Sequence, residues 1–137
     1  MNERIQAMIE IWTKDEPEFH GEYVDFDPIG LWPKPVQKPY PPIYVGGGSQ
    51  AFQRIAQFGD AWLANGLPPG ELEPMMGELR EVAKRDVPVT VFNASSEPED
   101  LEAYARLGVE RVLLGLPTLP EGETLEYLDH LAGVATR

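Results

Sequence analysis

The stretch Ile43-Tyr44-Val45-Gly46-Gly47-Gly48-Ser49-Gln50 begins a pattern that repeats through the rest of the chain. It opens with a short apolar run rich in strand-forming side chains, and apolar residues then recur at helical spacing over residues 50–58. A short apolar run followed by an amphipathic segment occurs three more times. This alternation is typical of βαβ units with a parallel sheet buried on both faces. The sequence therefore predicts an α/β fold with four βα units.

The later units have clear candidate strands over residues 60–64, 88–92 and 111–116. A helix is predicted over residues 70–85, and Ser96 with Glu99 forms a capping-box pattern for the next helix, which Gly108 is suited to end. The last helix carries apolar residues at helical spacing. Four such units form either a small open sheet or half of a (β/α)8 barrel, a fold that typically needs about 250 residues.

A helix and a proline-rich connector precede the repeating part. Apolar residues at helical spacing predict a helix within residues 1–16, and a short edge strand is expected within residues 19–26. Six of the chain's 14 prolines fall within residues 28–42, which favours an extended connector in which Trp32, Val36 and Tyr40 pack against other residues. We predict a single domain over 1–137, with a helix at 1–16, an insertion and connector at 17–42, and βα units at 43–137.

Composition and charge exclude several classes of function. The 137 residues include 11 Lys and Arg against 23 Asp and Glu, a net charge of −12 that opposes binding to nucleic acid or anionic lipid. No apolar run approaches the length of a membrane span, and no secretory signal is visible. The absence of cysteine excludes disulfides and thiolate metal sites, so we expect a cytoplasmic protein.

The glycine-rich loop after the first strand is the main candidate site. Gly46, Gly47 and Gly48 leave room for a ligand against the backbone, and the amides that follow, from Ser49 onward, face the carboxyl edge of the strand. Such a loop either binds an anion such as phosphate or serves only as a tight turn. In a parallel sheet, Asn65-Gly66 would lie at the same edge, as a ligand contact or as a turn.

Other residues give weaker signals. Arg54, about one turn into the first helix of the repeat, either reaches a bound phosphate or is a solvated charge. His20 and His130 have no metal-ligand partner at useful spacing, so we predict structural or solvated roles and no metal site. No serine lies in a nucleophile-elbow pattern, and no catalytic residue is assigned.

Several segments together resemble the luciferase-like monooxygenase superfamily, and within it the F420-dependent oxidoreductases most closely. The segments are Phe19-His20-Gly21-Glu22-Tyr23, Trp32-Pro33-Lys34-Pro35-Val36-Gln37-Lys38-Pro39, Pro41-Pro42-Ile43-Tyr44-Val45-Gly46-Gly47, Ala56-Gln57-Phe58-Gly59-Asp60-Ala61-Trp62 and Val109-Glu110-Arg111-Val112-Leu113-Leu114-Gly115-Leu116-Pro117. The resemblance covers essentially the whole chain. It matches the C-terminal half of the family's (β/α)8 TIM barrel.

The resemblance implies FMN or F420 as cofactor, bound at the carboxyl ends of the strands. Carried over residue by residue, it implies that the backbone amides of Gly46, Gly47, Gly48 and Ser49 bind the cofactor's phosphate. It also implies a further contact around Asn65 and Gly66. The lysine that some relatives use near that second contact is absent here. The family's acid–base residues belong mostly to the N-terminal half of the barrel, so the resemblance transfers no catalytic residue to this chain.

The sequence leaves two functions open. The chain is either the C-terminal portion of a flavin- or F420-dependent oxidoreductase or a non-catalytic half-barrel module that binds or acts as a scaffold. Four barrel strands alone would leave two open edges and exposed apolar surface. We therefore expect either a homo-oligomer or pairing with another half-barrel, with a small organic substrate bound once an N-terminal half completes the barrel.

Overall fold

The computed structural model describes residues 1–135 and divides into two compact units, Met1–Ile43 and a second unit that begins at Tyr44. The last two residues of the predicted segment 43–137 lie outside the described part. In the first unit, helix α1 spans Asn2–Thr13. It ends before Pro17, because proline and the residue that precedes it both disfavour helical geometry.

A small hairpin follows α1, where the sequence predicted one edge strand. Strands β1 (Phe19–His20) and β2 (Asp25–Phe26) pair antiparallel. The carboxylate of Glu3 accepts hydrogen bonds from the backbone amides of Glu22, Tyr23 and Val24 in the turn between the strands. The bond from Tyr23 is the main reason why the pKa of Glu3 lies below its ordinary value. The single-strand prediction is wrong because these contacts stabilise a turn in the middle of the stretch.

The proline-rich connector contains neither helix nor strand between residues 27 and 43. Lys34 donates hydrogen bonds to the carbonyl oxygens of Ile11 and Lys14, at the C-terminal end of α1. Val36 is exposed, so the expectation that it packs against other residues is wrong. Trp32 is largely exposed as well, but the Nζ of Lys34 lies over its ring, 5.4 Å from the centroid. Tyr40 does pack, with its ring 6.1 Å from that of Trp12.

The second unit contains a four-stranded parallel sheet in the order β3-β4-β5-β6, which confirms the predicted α/β class. The strands alternate with helices along the chain, and a 3-10 turn at Ser49–Ala51 precedes α2. The strands are β3 (Tyr44–Gly46), β4 (Ala61–Asn65), β5 (Val89–Ala94) and β6 (Arg111–Leu114), and the helices are α2 (Phe52–Phe58), α3 (Pro69–Ala83), α4 (Pro98–Leu107) and α5 (Glu121–Ala135).

The register assigns the strand residues to two faces of this sheet. One face, which we call the helix face, carries Val45, Trp62 and Val89 in register, and all three are buried. Phe52 of α2 packs edge-on against Trp62, with ring centroids 5.1 Å apart. Tyr104 of α4 is buried as well, and its hydroxyl donates a hydrogen bond to the carbonyl oxygen of Leu67. Aromatic packing on the helix face therefore forms the core of this unit.

The opposite face, which we call the open face, carries Tyr44, Leu63, Thr90, Phe92 and Leu113. Tyr44, Phe92 and Leu113 are 39%, 51% and 39% exposed. Thr90 on this face is buried, as is Ala61, which pairs with Tyr44. The Oγ1 of Thr90 has no hydrogen-bond partner among the described residues. The open face thus combines exposed apolar side chains with one buried, unsatisfied hydroxyl.

The start of α4 and the end of α2 are each stabilised by a residue other than a side-chain N-cap. The predicted Ser96–Glu99 capping box is wrong, because α4 begins at Pro98 and the residue before it, Glu97, makes no side-chain cap. Proline suits the first helical position since its missing N–H would lack a partner there. At the end of α2, Arg85 donates hydrogen bonds to the carbonyl oxygens of Ile55 and Gly59. The guanidinium therefore gives a donor to Gly59, just beyond α2, and a second donor to Ile55, whose carbonyl also accepts the amide of Gly59.

Candidate functional site

The carboxyl ends of all four parallel strands lie along one edge of the sheet. Gly46 ends β3, Asn65 ends β4, and β5 and β6 end at Ala94 and Leu114. Ligands of α/β proteins bind at this edge, because the loops and amides that follow the strands converge there. The edge brings the glycine-rich loop next to Asn65-Gly66, since β3 and β4 are neighbouring strands.

The conformation of the glycine-rich loop is fixed by two contacts. Gly47 has φ of +125°, a backbone conformation that residues with a side chain rarely adopt. The indole Nε1–H of Trp62 donates a hydrogen bond of 2.7 Å to the carbonyl oxygen of Gly47. The amide of Ala51 donates one of 2.9 Å to the carbonyl oxygen of Gly48, which closes the 3-10 turn. The sheet core therefore anchors the loop through its carbonyls.

The loop amides are free of protein acceptors. Among residues 1–135, no hydrogen-bond acceptor contacts the amides of Gly47, Gly48, Ser49 or Gln50. Gly47 and Gly48 are half-buried, while Ser49 and Gln50 are exposed. Consecutive amides without protein partners are donors that remain available to a ligand, and an anion is a ligand that such donors bind. The structure thus leaves the donors available that the phosphate interpretation requires.

Asn65-Gly66 continues the edge beyond β4. Asn65 is exposed and faces the same side of the sheet as Gly46 and Leu63. Gly66 has φ of +59°, and its amide donates a 2.7 Å hydrogen bond to the carbonyl oxygen of Phe92 in β5. Gly66 thus bends the chain in a left-handed conformation and is bonded to the neighbouring strand β5. The side chain of Asn65 makes no hydrogen bond with the described residues.

Asn93 in β5 is a residue of this edge that the sequence analysis missed. It is the extra residue of a β-bulge, because Phe92 pairs with Leu113 while Ala94 already pairs with Leu114. Its φ is +54° and its side chain is exposed. Asparagine is uncommon in strands, so its position within a strand-forming run is the sequence signal that points to an irregularity there.

The remaining candidates lie on three other elements. Arg54 is half-buried in α2. His20 lies in β1 of the first unit, where Nδ1 is 2.7 Å from Oδ1 of Asp25, and this contact raises the pKa of the imidazole. His130 lies on α5 with its ring 6.2 Å from that of Tyr127.

Two kinds of feature are absent from the described part of the chain. Residues 1–135 contain no group of three or more His, Cys, Asp or Glu side chains arranged to hold a metal ion. In the same range, each helix falls short of the length and apolar character that a membrane-crossing helix needs.

Relatives with similar sequences are longer than this chain, which matches only a part of each of them. An uncharacterised protein of Mycobacterium tuberculosis (strain ATCC 25618 / H37Rv) is 33% identical over 96% of this chain and 49% of its own length. An FMNH(2)-dependent dimethylsulfone monooxygenase of Pseudomonas putida is 35% identical over 59% of this chain and 23% of its own length. The chain thus spans about half the length of the curated relatives that it matches across its whole length.

Solved structures show the same fold. A monooxygenase of Streptomyces bottropensis matches 96% of this chain and 41% of its own, with a TM-score of 0.53 and 15% identity. An F420-dependent secondary alcohol dehydrogenase, solved with an F420–acetone adduct, matches 96% of this chain and 44% of its own, with a TM-score of 0.51 and 20% identity. These proteins are TIM barrels, so the four βα units correspond to half of such a barrel, as predicted.

The family follows from a match that includes the first unit, the glycine-rich loop and most of the parallel sheet. Residues 1–109 match the model of the luciferase-like monooxygenase family. The resemblance seen in the sequence is confirmed, and the chain belongs to the luciferase-like monooxygenase family.

Proposed function

We propose that this chain supplies the cofactor-phosphate-binding part of an F420- or FMN-dependent oxidoreductase. The observation that carries the proposal is the set of amides from Gly47 to Gln50, which have no acceptor among the described residues and follow a strand at its carboxyl end. Membership of the family supports it, as do the printed activities of the Pseudomonas putida relative and the F420-dependent neighbour.

The loop fits a phosphate in both shape and chemistry. A phosphate group accepts several hydrogen bonds, and amide donors bind it even though the chain as a whole carries a charge of −12. An ideal Cβ on Gly46 would meet only the carbonyl oxygen of Leu63, at 3.9 Å, so the space beside this residue is open. The carbonyl of Gly47 is already occupied by Trp62, so the acceptor group of the loop is turned away from an anion.

The proposed role of this chain is binding and orientation. FMN and F420, when bound, supply hydride transfer, and reduced flavin also activates oxygen. The amides of Gly47, Gly48 and Ser49 would hold the phosphate, and Asn65 would contact the same cofactor from the next strand. A small organic substrate and the acid–base groups would depend on an N-terminal half, and the cysteine-free composition supports a cytoplasmic location.

Two substitutions of Gly48 test the loop, because aspartate and asparagine have the same shape and differ in charge. Gly48 has φ of −87°, which side chains tolerate, and a new Cβ would meet only the flexible end of Gln50, at 3.0 Å. We expect Gly48→Asp to weaken FMN and F420 binding by at least about tenfold relative to Gly48→Asn, because the carboxylate repels the phosphate. Fluorescence titration of each cofactor against the 137-residue chain measures this difference.

Riboflavin, which lacks the phosphate, is the control ligand, and the two Gly48 variants should bind it equally. Equal FMN affinity of the aspartate and asparagine variants would contradict the assignment of the loop. Failure of the unmodified chain to bind either FMN or F420 would contradict the proposed function itself.

The open face favours a second role, which is pairing with another half-barrel. Tyr44, Phe92 and Leu113 expose a large apolar area on this face. The outer strands of the sheet, β3 and β6, each have one side that no strand of the sheet pairs with. Such a face and such edges are typical association surfaces. A chain that binds a ligand and pairs with another half-barrel without catalysing a reaction would be the non-catalytic scaffold module that the sequence also allows.

A further inference from the structure

Asn65 is the one asparagine of this chain that a glycine follows. In an Asn-Gly pair, the backbone nitrogen of the glycine can attack the carbonyl carbon of the asparagine side chain. Glycine permits this attack because it has no Cβ to hinder the approach. Asn2 and Asn93 are followed by glutamate and alanine, which carry that hindrance. Asn65 is therefore the asparagine that is chemically most disposed to lose its amide.

The fold exposes the side chain of Asn65 but restrains the attacking nitrogen. Asn65 is exposed, and its carboxamide makes no hydrogen bond with residues 1–135. The amide of Gly66, in contrast, donates its hydrogen bond of 2.7 Å to the carbonyl oxygen of Phe92. The nitrogen has to lose its proton and rotate toward the side chain before it can attack. The folded state therefore prevents the reaction as long as this bond is intact.

The protecting bond lies where the pairing of β4 with β5 ends. Asn65 is the last residue of β4, and Asn65 with Phe92 is the last pair in register between the two strands. The β-bulge of β5 begins directly after Phe92 and disrupts the regular ladder toward β6. Backbone hydrogen bonds at the end of an element open at a lower free energy than those in the core of a sheet. The bond of Gly66 can therefore open while the rest of the sheet stays folded.

We propose that Asn65-Gly66 is a deamidation site that reacts through local opening of the end of β4. In the open state, the Gly66 nitrogen forms a bond to the side-chain carbonyl carbon of Asn65, and ammonia leaves. Water then opens the resulting succinimide ring, which yields aspartate or isoaspartate at position 65. The product carries one more negative charge, so the net charge changes from −12 to −13. This inference is independent of the proposed function.

Incubation of the chain at mildly alkaline pH tests the site, with peptide mapping by mass spectrometry as the readout. Asn93 is the matched internal control, since it is also exposed but precedes alanine, and it should react far more slowly than Asn65. Complete unfolding in urea should speed the reaction at Asn65 by at least about tenfold, because every molecule is then in the open state. Below the unfolding transition, the rate should rise with urea in parallel with hydrogen exchange of the Gly66 amide.

Each part of the inference has an outcome that would overturn it. Equal rates at Asn65 in the folded and the urea-unfolded chain would overturn the protective role of the Gly66 bond. A rate that does not follow the exchange of the Gly66 amide would overturn the route through local opening. The variant Asn65→Gln should accumulate no acidic species on ion-exchange chromatography, because glutamine has to form a larger ring. An acidic species that accumulates equally in this variant would overturn the site itself.

The consequence of the modification for ligand binding rests on the proposed function. Strands β3 and β4 are neighbours, so a carboxylate at position 65 lies at the same edge as the glycine-rich loop. We expect Asn65→Asp, which reproduces the aspartate product, to weaken FMN binding at least about threefold more than riboflavin binding, because the carboxylate repels the phosphate. Equal losses for the two ligands would overturn this effect. If the unmodified chain binds neither FMN nor F420, the proposed function fails, and the deamidation rates still decide the site.

Discussion

At the scale of single residues, Thr90 is an unusual member of the sheet. Its side chain is buried on the open face, and Oγ1 has no partner among the described residues. A buried hydroxyl without a hydrogen bond destabilises the folded state, whereas valine has the same shape and no polar atom. We expect Thr90→Val to raise the free energy of unfolding by about 1 kcal/mol, as measured by urea denaturation.

A matched threonine checks the reasoning for Thr90. Thr124 donates a hydrogen bond of 2.9 Å from Oγ1 to the carbonyl oxygen of Leu119, at the start of α5. Thr124→Val should therefore lower the free energy of unfolding slightly. If Thr90→Val proved destabilising as well, the hydroxyl of Thr90 would have a partner, and its assignment as unsatisfied would be wrong.

At the scale of elements, Trp62 joins the sheet to the glycine-rich loop. Its ring is buried against Phe52, and its Nε1–H bonds to the carbonyl oxygen of Gly47. Trp62→Phe keeps an aromatic ring but leaves a cavity and an unpaired carbonyl. We expect it to lower the free energy of unfolding by about 2 kcal/mol. It should also speed the exchange of the Ala51 amide, which is bonded to the carbonyl oxygen of Gly48 in the loop, as hydrogen exchange followed by NMR would measure.

The control for Trp62 is a core change that does not touch the loop. Leu79→Ala in α3 also leaves a cavity, because Leu79 is buried, and should destabilise the unit by a comparable or larger amount. It should accelerate the exchange of the Ala51 amide no more than that of the other amides of the unit. Equal acceleration of the Ala51 amide in both variants would show that Trp62 does not anchor the loop specifically.

The elements also show what the sequence could predict. All four strands of the parallel sheet fall within or next to their predicted runs, because a parallel strand buried by helices is apolar and short. The hairpin within residues 19–26 was not predicted, since its turn depends on the carboxylate of Glu3, far away in sequence. Likewise, Pro98 rather than Ser96 determines the start of α4.

The candidate site was predictable in part, for a similar reason. The glycine-rich loop and Asn65-Gly66 are marked by residue types that are typical of turns and ligand loops, and the sheet order places both at one edge. The bulge at Asn93 depends on the pairing of β5 with β6, a long-range property without a local signature. The unpaired state of the loop amides also becomes visible only in three dimensions.

At the scale of the whole molecule, the open face and the net charge act in opposite directions. Exposed Tyr44, Phe92 and Leu113 favour association, while a charge of −12 makes two copies repel each other. The Debye length is about 10 Å at 0.1 M salt and shorter at higher salt. We therefore expect self-association of the chain to strengthen as salt rises from about 0.05 M to about 0.5 M, measured by sedimentation velocity.

A pair of aspartate substitutions locates the associating surface. Phe92→Asp places a charge on the open face and should abolish the salt-dependent association. Leu128→Asp on α5 places the same charge at a similarly exposed leucine elsewhere, and association should persist. Monomeric sedimentation of the unmodified chain at every salt concentration would argue against self-pairing and leave pairing with a different half-barrel to be tested by co-purification.

The guanidinium of Arg85 has a consequence for recombining this chain with its relatives. It satisfies the carbonyl oxygens of Ile55 and Gly59, although it follows α3 and those carbonyls end α2. Successive βα units are therefore not freely interchangeable parts. A chimera whose crossover falls between residues 59 and 85 would inherit the acceptors from one parent and the donor from the other, so crossover points outside this interval preserve the junction.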